Sequence, residues 1–167
     1  MLDVRTSQLY SWNTLIRALG GIAFMMAIFA YILDYFFGYT GCTLCHVERT
    51  LLMITGTWTV YASSSWIAFG LWCLGGGVTF YHLSVQNHWL PLASFCKAPV
   101  PSGDTLNAQM ENFLSKPGVS CDEITLKVLG ISAVYFLFTF FTTGCLIILW
   151  KILKTSKKYY SLKRFTK

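Results

Sequence analysis

The sequence predicts an all-α membrane protein built as a four-helix transmembrane bundle. Of its 167 residues, 54% are hydrophobic and only 12% are charged. A soluble domain of this size needs a more polar surface, so the composition indicates a protein that lies in a lipid bilayer. Long uncharged stretches also alternate with short polar segments along the chain. A single integral-membrane domain over residues 1–167 accommodates this pattern.

Four segments are apolar and long enough to cross the bilayer core, which takes about 20 helical residues. The stretch 50–96 contains no Lys, Arg, Asp or Glu, and a serine-rich run near residue 63 divides it into two spans. The first segment is too long for the core of a signal peptide and lacks a cleavage site of small residues, so it is interpreted as a helix. The predicted spans are 13–37, 46–62, 66–86 and 126–150.

The charges predict how the bundle is oriented. Seven of the 13 Lys and Arg residues follow Trp150, and a basic tail next to an apolar span stays in the cytoplasm. Four spans then place both termini in the cytoplasm. The outer loops are 38–45 and 87–123. No folded basic module surrounds the tail 151–167, so we expect no nucleic-acid partner.

The second outer loop contains one predicted short helix. Leu106, Met110, Phe113 and Leu114 are spaced i, i+4, i+7 and i+8, which makes one apolar stripe. Such a helix can lie horizontally on the membrane surface. It can equally pack against its own loop, and the pattern does not distinguish the two.

The six cysteines divide into two groups by position. Cys73 and Cys145 fall inside predicted spans among apolar residues, where a cysteine is typically a small buried hydrophobe. The other four lie in or beside the outer loops, which face an oxidising compartment: Cys42, Cys45, Cys96 and Cys121. An even number of cysteines in such a compartment predicts disulfides.

Cys42 and Cys45 form a C-x-x-C pair at the predicted start of the second span. A disulfide that closes so small a ring restricts the unfolded chain little, so a purely structural role would add little stability. A helix N-terminus lowers the pKa of a nearby thiol and favours thiol–disulfide exchange. Because Cys45 directly precedes the predicted span, we expect Cys45 to hold that position. The pair therefore indicates a redox centre.

Three alternatives stay open for these cysteines. Cys96 and Cys121 could staple the loop in a non-catalytic membrane protein with structural disulfides. Cys42-Thr-Leu-Cys45-His46 matches the pattern of c-type haem attachment, although the first outer loop is short for enclosing a haem. Four cysteines could also bind zinc, but the second pair lacks the close spacing of a zinc ribbon.

Arg49 lies one helical turn beyond Cys45, so both side chains can lie on one face of the second helix. Adjacent helical positions do not face each other, so Glu48 cannot simply neutralise Arg49. Arg49 either snorkels to the headgroups or points inwards to a polar ligand beside Cys45. A quinone fits the second interpretation, because its ring suits the bilayer and a cation stabilises its oxygens as electrons arrive.

Residues 42–49, Cys-Thr-Leu-Cys-His-Val-Glu-Arg, resemble the C-x-L-C-x-x-E-R signature of the DsbB family of disulfide-bond-formation proteins. The predicted four-helix layout and the second cysteine pair match as well, over about residues 13–150. The resemblance implies a multi-pass, quinone-dependent protein-disulfide oxidoreductase of the bacterial inner membrane. Such a thiol oxidase reoxidises a DsbA-like periplasmic thioredoxin-fold partner. It passes the electrons to ubiquinone or menaquinone in the membrane pool.

The resemblance also implies a role for each site residue. Cys42 and Cys45 would be the pair that quinone reoxidises, with Cys45 in contact with the quinone and Arg49 binding it. Cys96 would form the mixed disulfide with the partner. Cys121 would pair with Cys96 and exchange with Cys42 between the loops.

The three histidines receive no firm role from the sequence. The family often has a histidine near the outer end of the third span, but neither His82 nor His88 falls cleanly in register. His46 could tune the thiolate of Cys45 or face the lipid headgroups, and we favour the headgroups.

Overall fold

The computed structural model describes residues 3–38, 41–61, 64–97, 119–124, 126–128 and 130–165, with the backbone alone described for 3–11, 128 and 157–165. These residues form four α-helices, α1 (Asp3–Phe37), α2 (Thr43–Tyr61), α3 (Ser65–Gln86) and α4 (Ala133–Phe165). The prediction of a mainly helical protein is confirmed. The other described elements are a 3-10 turn, Ser94–Cys96, and two short strands, β1 (Lys127–Val128) and β2 (Ile131–Ser132).

The long terminal helices extend beyond the predicted spans. α1 begins at Asp3 rather than at residue 13, and α4 continues to Phe165 rather than ending at residue 150. Hydropathy marks only the part of a helix that suits lipid, and polar turns can prolong it on either side. α4 also begins at Ala133 rather than at residue 126, because Lys127–Val128 and Ile131–Ser132 pair before it as an antiparallel hairpin. The hairpin turns at Gly130, whose φ of 84° is readily adopted by glycine.

The helices pack as two pairs, α1 with α2 and α3 with α4, and contacts between α2 and α3 join the pairs. α1 and α2 approach closely at their glycines, since a Cβ on Gly56 would lie 2.8 Å from the carbonyl oxygen of Gly20. Small residues of this kind allow close helix packing in membranes. Between the pairs, Trp72 is fully buried against Phe141 and donates a hydrogen bond of 3.1 Å to Thr59 Oγ1.

Two helices of the described part of the chain are long and apolar enough to cross a membrane. They are Trp12–Phe37 in α1 and Ala133–Ser156 in α4, each with a mean hydropathy of 2.0. Large apolar side chains are exposed on both, among them Met25 (63%) and Leu146 (60%). At 19 and 22 residues, α2 and α3 have the length for a span. That they do span the bilayer stays a prediction. The horizontal helix predicted around Leu106 to Leu114 lies outside the described residues.

Cys73 and Cys145 are joined as a disulfide between α3 and α4. The interpretation of both as small buried hydrophobes is therefore wrong: Cys73 is exposed and Cys145 only half-buried. Their Cα atoms lie 5.8 Å apart, within the usual range for a disulfide. The pair is separated by 72 positions in the sequence, so only the packing of α3 against α4 makes the two residues neighbours.

Replacing both residues, Cys73→Ala with Cys145→Ala, should lower stability and leave thiol oxidation nearly unchanged. The crosslink closes a loop of 72 residues, which corresponds to at most about 4.4 kcal/mol in the chain-entropy model. Cys73 also lies about 14 Å along α3 from His82, at 1.5 Å per residue. Thermal unfolding and turnover of the double variant test both parts. Loss of most turnover in a folded variant would contradict the structural role.

Candidate functional site

The four cysteines of the outer-loop group lie together at one end of the bundle, where α2 begins and α3 ends. Cys42, Cys96 and Cys121 are buried, with 2%, 1% and 0% of their surface exposed, and Cys45 is half-buried against them. All four are free thiols in the structure. The fold thus brings the two pairs into one buried cluster. Leu44 and Val85 are the other buried residues of this cluster.

Cys42, and not Cys45, holds the position immediately before the helix. α2 begins at Thr43 rather than at residue 46, so the expectation that Cys45 directly precedes the helix is wrong. The Cys45 N–H donates to Cys42 Sγ at 3.3 Å, which makes the Cys42 thiol the N-cap acceptor. Cys45 lies in the first turn. Hydropathy did not locate this turn, because its residues differ little in polarity from the loop before it.

The thiol of Cys42 also donates a hydrogen bond to Cys45 Sγ at 3.1 Å. This bond, and next the burial of the thiol, raise the pKa of Cys42 above its ordinary value. The two sulfurs are close enough to form a disulfide after a small rotation. Before Cys42 can react as a thiolate, however, another group has to take its proton.

The second pair is assembled by backbone hydrogen bonds. Cys96 ends the 3-10 turn, and its carbonyl accepts the Cys121 N–H at 3.1 Å and the Ser120 hydroxyl at 3.4 Å. Burial, and next a hydrogen bond with Cys121, raise the pKa of the Cys96 thiol to about 12. Since Cys96 is only 1% exposed, a partner protein can reach its sulfur only after this end of the chain opens.

His82 contacts the cluster at Cys42, and the sequence did not assign it a role. It is fully buried in α3, with Nε2 3.6 Å from Cys42 Sγ and Nδ1 2.8 Å from Glu48 Oε1. Glu48 is 2% exposed. One signal for this site was present in the sequence, because a titratable side chain inside a membrane span is by default a functional candidate. His46 and His88 are both exposed, which agrees with the preferred interpretation of His46.

Arg49 points to α1 rather than to the surface. Its Nη1 donates to Asp34 Oδ2 at 2.7 Å, and its side chain is 13% exposed. The guanidinium also lies 5.7 Å from the centre of the Tyr31 ring. Gly41 allows this position, because a Cβ there would come within 3.1 Å of Arg49 Nη2.

An apolar cavity of about 250 Å³ opens beside Cys45 and Arg49, between α1, α2 and α4. Its walls are mainly aliphatic and aromatic, with the polar side chains of Glu48, Gln86 and Ser132 also lining it. Cys45 and Arg49 therefore do share one face of α2, as their spacing predicts. Ligand pockets commonly combine such apolar walls with a few polar groups.

Among the residues that the structure describes, the same end of the bundle offers a group of side chains that can hold a metal ion. Ligand atoms of Cys42, Cys45 and His82 lie within 4.8 Å of one another. Two thiolates and an imidazole are ligands that zinc accepts. The sequence assigned no metal ligand.

Comparison with known proteins identifies a family. The family model described as "Disulfide bond formation protein DsbB" matches residues 13–151. That range includes all six cysteines and the residues that line the cavity. No curated protein and no solved structure matches the chain at a significant level.

Proposed function

Because the chain belongs to the DsbB family of disulfide bond formation proteins, we propose that it is a thiol oxidase that passes electrons from an exported partner to quinone. Family membership makes it a membrane disulfide oxidoreductase. The partner, the quinone and the order of the cysteines are the proposed part. The observation that carries the proposal is the buried cluster of four thiols beside an apolar cavity that Cys45 and Arg49 line.

The proposed topology places both termini in the cytoplasm and the cysteine cluster at the periplasmic face of the inner membrane. α1 to α4 would all span the bilayer. Most of the basic residues after Trp150 lie in the C-terminal part of α4, the end of that helix away from the cluster, which agrees with the positive-inside rule.

Electrons would reach the cluster through Cys96 and Cys121. A thiolate of the reduced thioredoxin-fold partner attacks Cys96 of the Cys96–Cys121 disulfide, and Cys121 leaves. The second thiol of the partner then releases Cys96. Cys121 next attacks Cys42 of the Cys42–Cys45 disulfide, and Cys45 leaves. Cys96 then attacks Cys121, which restores the Cys96–Cys121 disulfide and releases Cys42. Each transfer is a thiol–disulfide exchange through a mixed disulfide.

The cavity beside Cys45 would hold the quinone ring. A quinone supplies a two-electron acceptor, and this chain's residues would position it. The apolar walls would exclude water and Arg49 would donate to a quinone oxygen, while Cys45 lies at the wall of the same cavity. A cation at that oxygen stabilises the negative charge that develops there.

The experiment that tests this function is quinone reduction coupled to oxidation of a partner. The full chain in lipid nanodiscs is mixed with a reduced DsbA-like thioredoxin-fold protein and either ubiquinone or menaquinone. Quinone absorbance and partner thiols are followed together. We expect one quinone reduced for each partner disulfide formed. Partner oxidation without quinone loss would contradict the proposal.

A zinc site is the second candidate function, because Cys42, Cys45 and His82 already lie at ligand distances from one another. Bound zinc would hold both thiolates and block their oxidation. Dialysis against a chelator, with metal analysis, separates the two functions, since thiol oxidation by a redox pair survives removal of metal. The visible spectrum of the same sample tests the haem alternative through its Soret band.

Cys121→Ser should trap a covalent complex with the partner. With Cys121 gone, Cys96 attacks the oxidised form of the partner, and no second thiol of this pair resolves the mixed disulfide. A reducible band of higher mass should appear on gels and vanish when Cys96→Ser is added. A band that depends on Cys42 instead would reverse the proposed order of electron transfer.

A further inference from the structure

A second cavity, of about 140 Å³, lies at the end of the bundle away from the cysteines. All four helices contribute to its walls, where α2 ends and α3 begins. Most of its lining residues are polar and none is acidic: Asn13, Arg17, Thr59, Ser64, Ser65 and Lys151. We call it the basic cavity. A single water needs only about 10–15 Å³, so the basic cavity has room for a polyatomic group.

The basic cavity lies at the level of a lipid headgroup layer. The two ends of α3, Ser65 and Gln86, are about 32 Å apart at about 1.5 Å per residue, and a bilayer core is about 30 Å thick. Ser65 lines the basic cavity, whereas Gln86 lines the cavity beside Cys45. Aromatic side chains typical of a membrane–water interface are exposed near the Ser65 end: Tyr61, Trp66 and Trp150. In the proposed topology this is the cytoplasmic headgroup layer.

Two cations meet at the basic cavity without an acidic partner. Lys151 Nζ donates to Asn13 Oδ1 at 2.9 Å, and an ammonium has three N–H donors, so two are left over. Arg17 makes no ion pair or hydrogen bond with any residue that the structure describes. Two cations that line one small cavity repel each other, and an anion between them removes that repulsion.

The neutral groups of the basic cavity also favour an anion. Because Asn13 Oδ1 accepts from Lys151, the donors left on its side chain are those of its NH₂ group. Ser64 is the N-cap of α3, but its hydroxyl does not bond to the helix. Thr59 is already committed, since its Oγ1 donates to the backbone and accepts from Trp72. The walls therefore present mainly donors, and the start of α3 adds the positive end of a helix dipole.

We propose that Arg17, Lys151 and Asn13 bind a phosphate group in the basic cavity. Two sources carry such a group, a phospholipid headgroup and free phosphate. The position in the headgroup layer favours the phospholipid, and basic pockets between membrane helices on the cytoplasmic side bind headgroups of this kind. Two cations favour an anionic lipid, because a zwitterionic headgroup brings a cation of its own.

Native mass spectrometry of the full chain, released from detergent micelles, measures this binding directly. The protein is titrated with phosphatidylglycerol, and in parallel with phosphatidylcholine and with inorganic phosphate. Arg17→Gln and Lys151→Gln each remove one cation of the basic cavity. The matched control is Lys154→Gln at the same end of α4, because Lys154 does not line the cavity and lies 5.9 Å from the centre of the Trp12 ring. Thermal unfolding reports whether each variant is folded.

We expect the wild type to bind one phosphatidylglycerol saturably. The dissociation constant should rise about ten- to hundredfold in each cavity variant, the range for loss of a charged hydrogen bond. Lys154→Gln should keep the wild-type constant, and phosphatidylcholine should bind more weakly than phosphatidylglycerol. Inorganic phosphate that binds as tightly as the lipid, with the same loss in both cavity variants, would support the site and identify free phosphate as its source.

Unchanged phosphatidylglycerol binding in both folded cavity variants would overturn the proposal. An equal loss in Lys154→Gln would overturn it as well, because the side chains would then act only as dispersed surface charges that snorkel to the headgroups. If Lys151→Gln does not fold, Arg17→Gln decides by the same criteria, since Arg17 is exposed. The titration involves no electron transfer, so its outcome is independent of the proposed redox function.

Discussion

Cys45→Ser is expected to abolish quinone-dependent turnover, and Cys42→Ser is expected to do the same. The two sulfurs lie 3.1 Å apart, and only a bond between them can deliver two electrons to a quinone beside Cys45. Serine is close to cysteine in size and can still form hydrogen bonds, but it cannot form the disulfide. Turnover is measured as partner thiols lost and quinone reduced, and we expect both to fall to the rate without enzyme.

The matched control is the Cys73→Ala, Cys145→Ala double variant, which also removes two sulfurs but outside the cluster. Membrane insertion and helix content should be retained in all of these proteins. Near-normal thiol oxidation by either Cys42→Ser or Cys45→Ser would show that this pair is not the redox centre.

Arg49→Leu should weaken the use of quinone far more than the exchange with the partner. A hydrogen bond from a charged donor is worth about 1.5–3 kcal/mol, which corresponds to roughly a ten- to hundredfold loss in kcat/KM. Lost binding raises the quinone KM, and lost stabilisation of the reduced oxygen lowers kcat. Arg49→Lys keeps the positive charge but loses the planar guanidinium with its fixed N–H donors, so its defect should be intermediate. Quinone titration with a fixed partner concentration measures both constants.

The ion pair with Asp34 requires its own control. Arg49→Leu leaves the Asp34 carboxylate without the partner that it holds at 2.7 Å, so part of any loss could come from that charge. Asp34→Asn alone, and the double variant with Arg49→Leu, separate the two causes. If the double variant regains normal quinone constants, the arginine only balances Asp34. Unchanged constants in Arg49→Leu itself would place the quinone site elsewhere.

The sequence by itself determined the class of the protein and the chemical groups that it carries. Apolar runs of span length and a basic tail are local properties, so hydropathy and charge were sufficient to predict helices in a membrane. The C-x-x-C pair, the second pair and Arg49 could likewise be selected from their residue types and spacing. The start of α2 was missed by three positions, at residue 46 instead of Thr43. Because of this small difference, the sequence assigned the position before the helix to Cys45, whereas Cys42 holds it in the structure.

Only the tertiary structure decided which of these groups meet. His82 lies 34 positions from Glu48 and 40 from Cys42, and Cys73 lies 72 from Cys145. Contacts of this kind depend on how each helix is rotated about its axis and which neighbour it faces. In helices that are apolar on nearly every side, the sequence pattern contains little information about that rotation. Packing of small and large side chains sets it, and so places the histidine against the thiol.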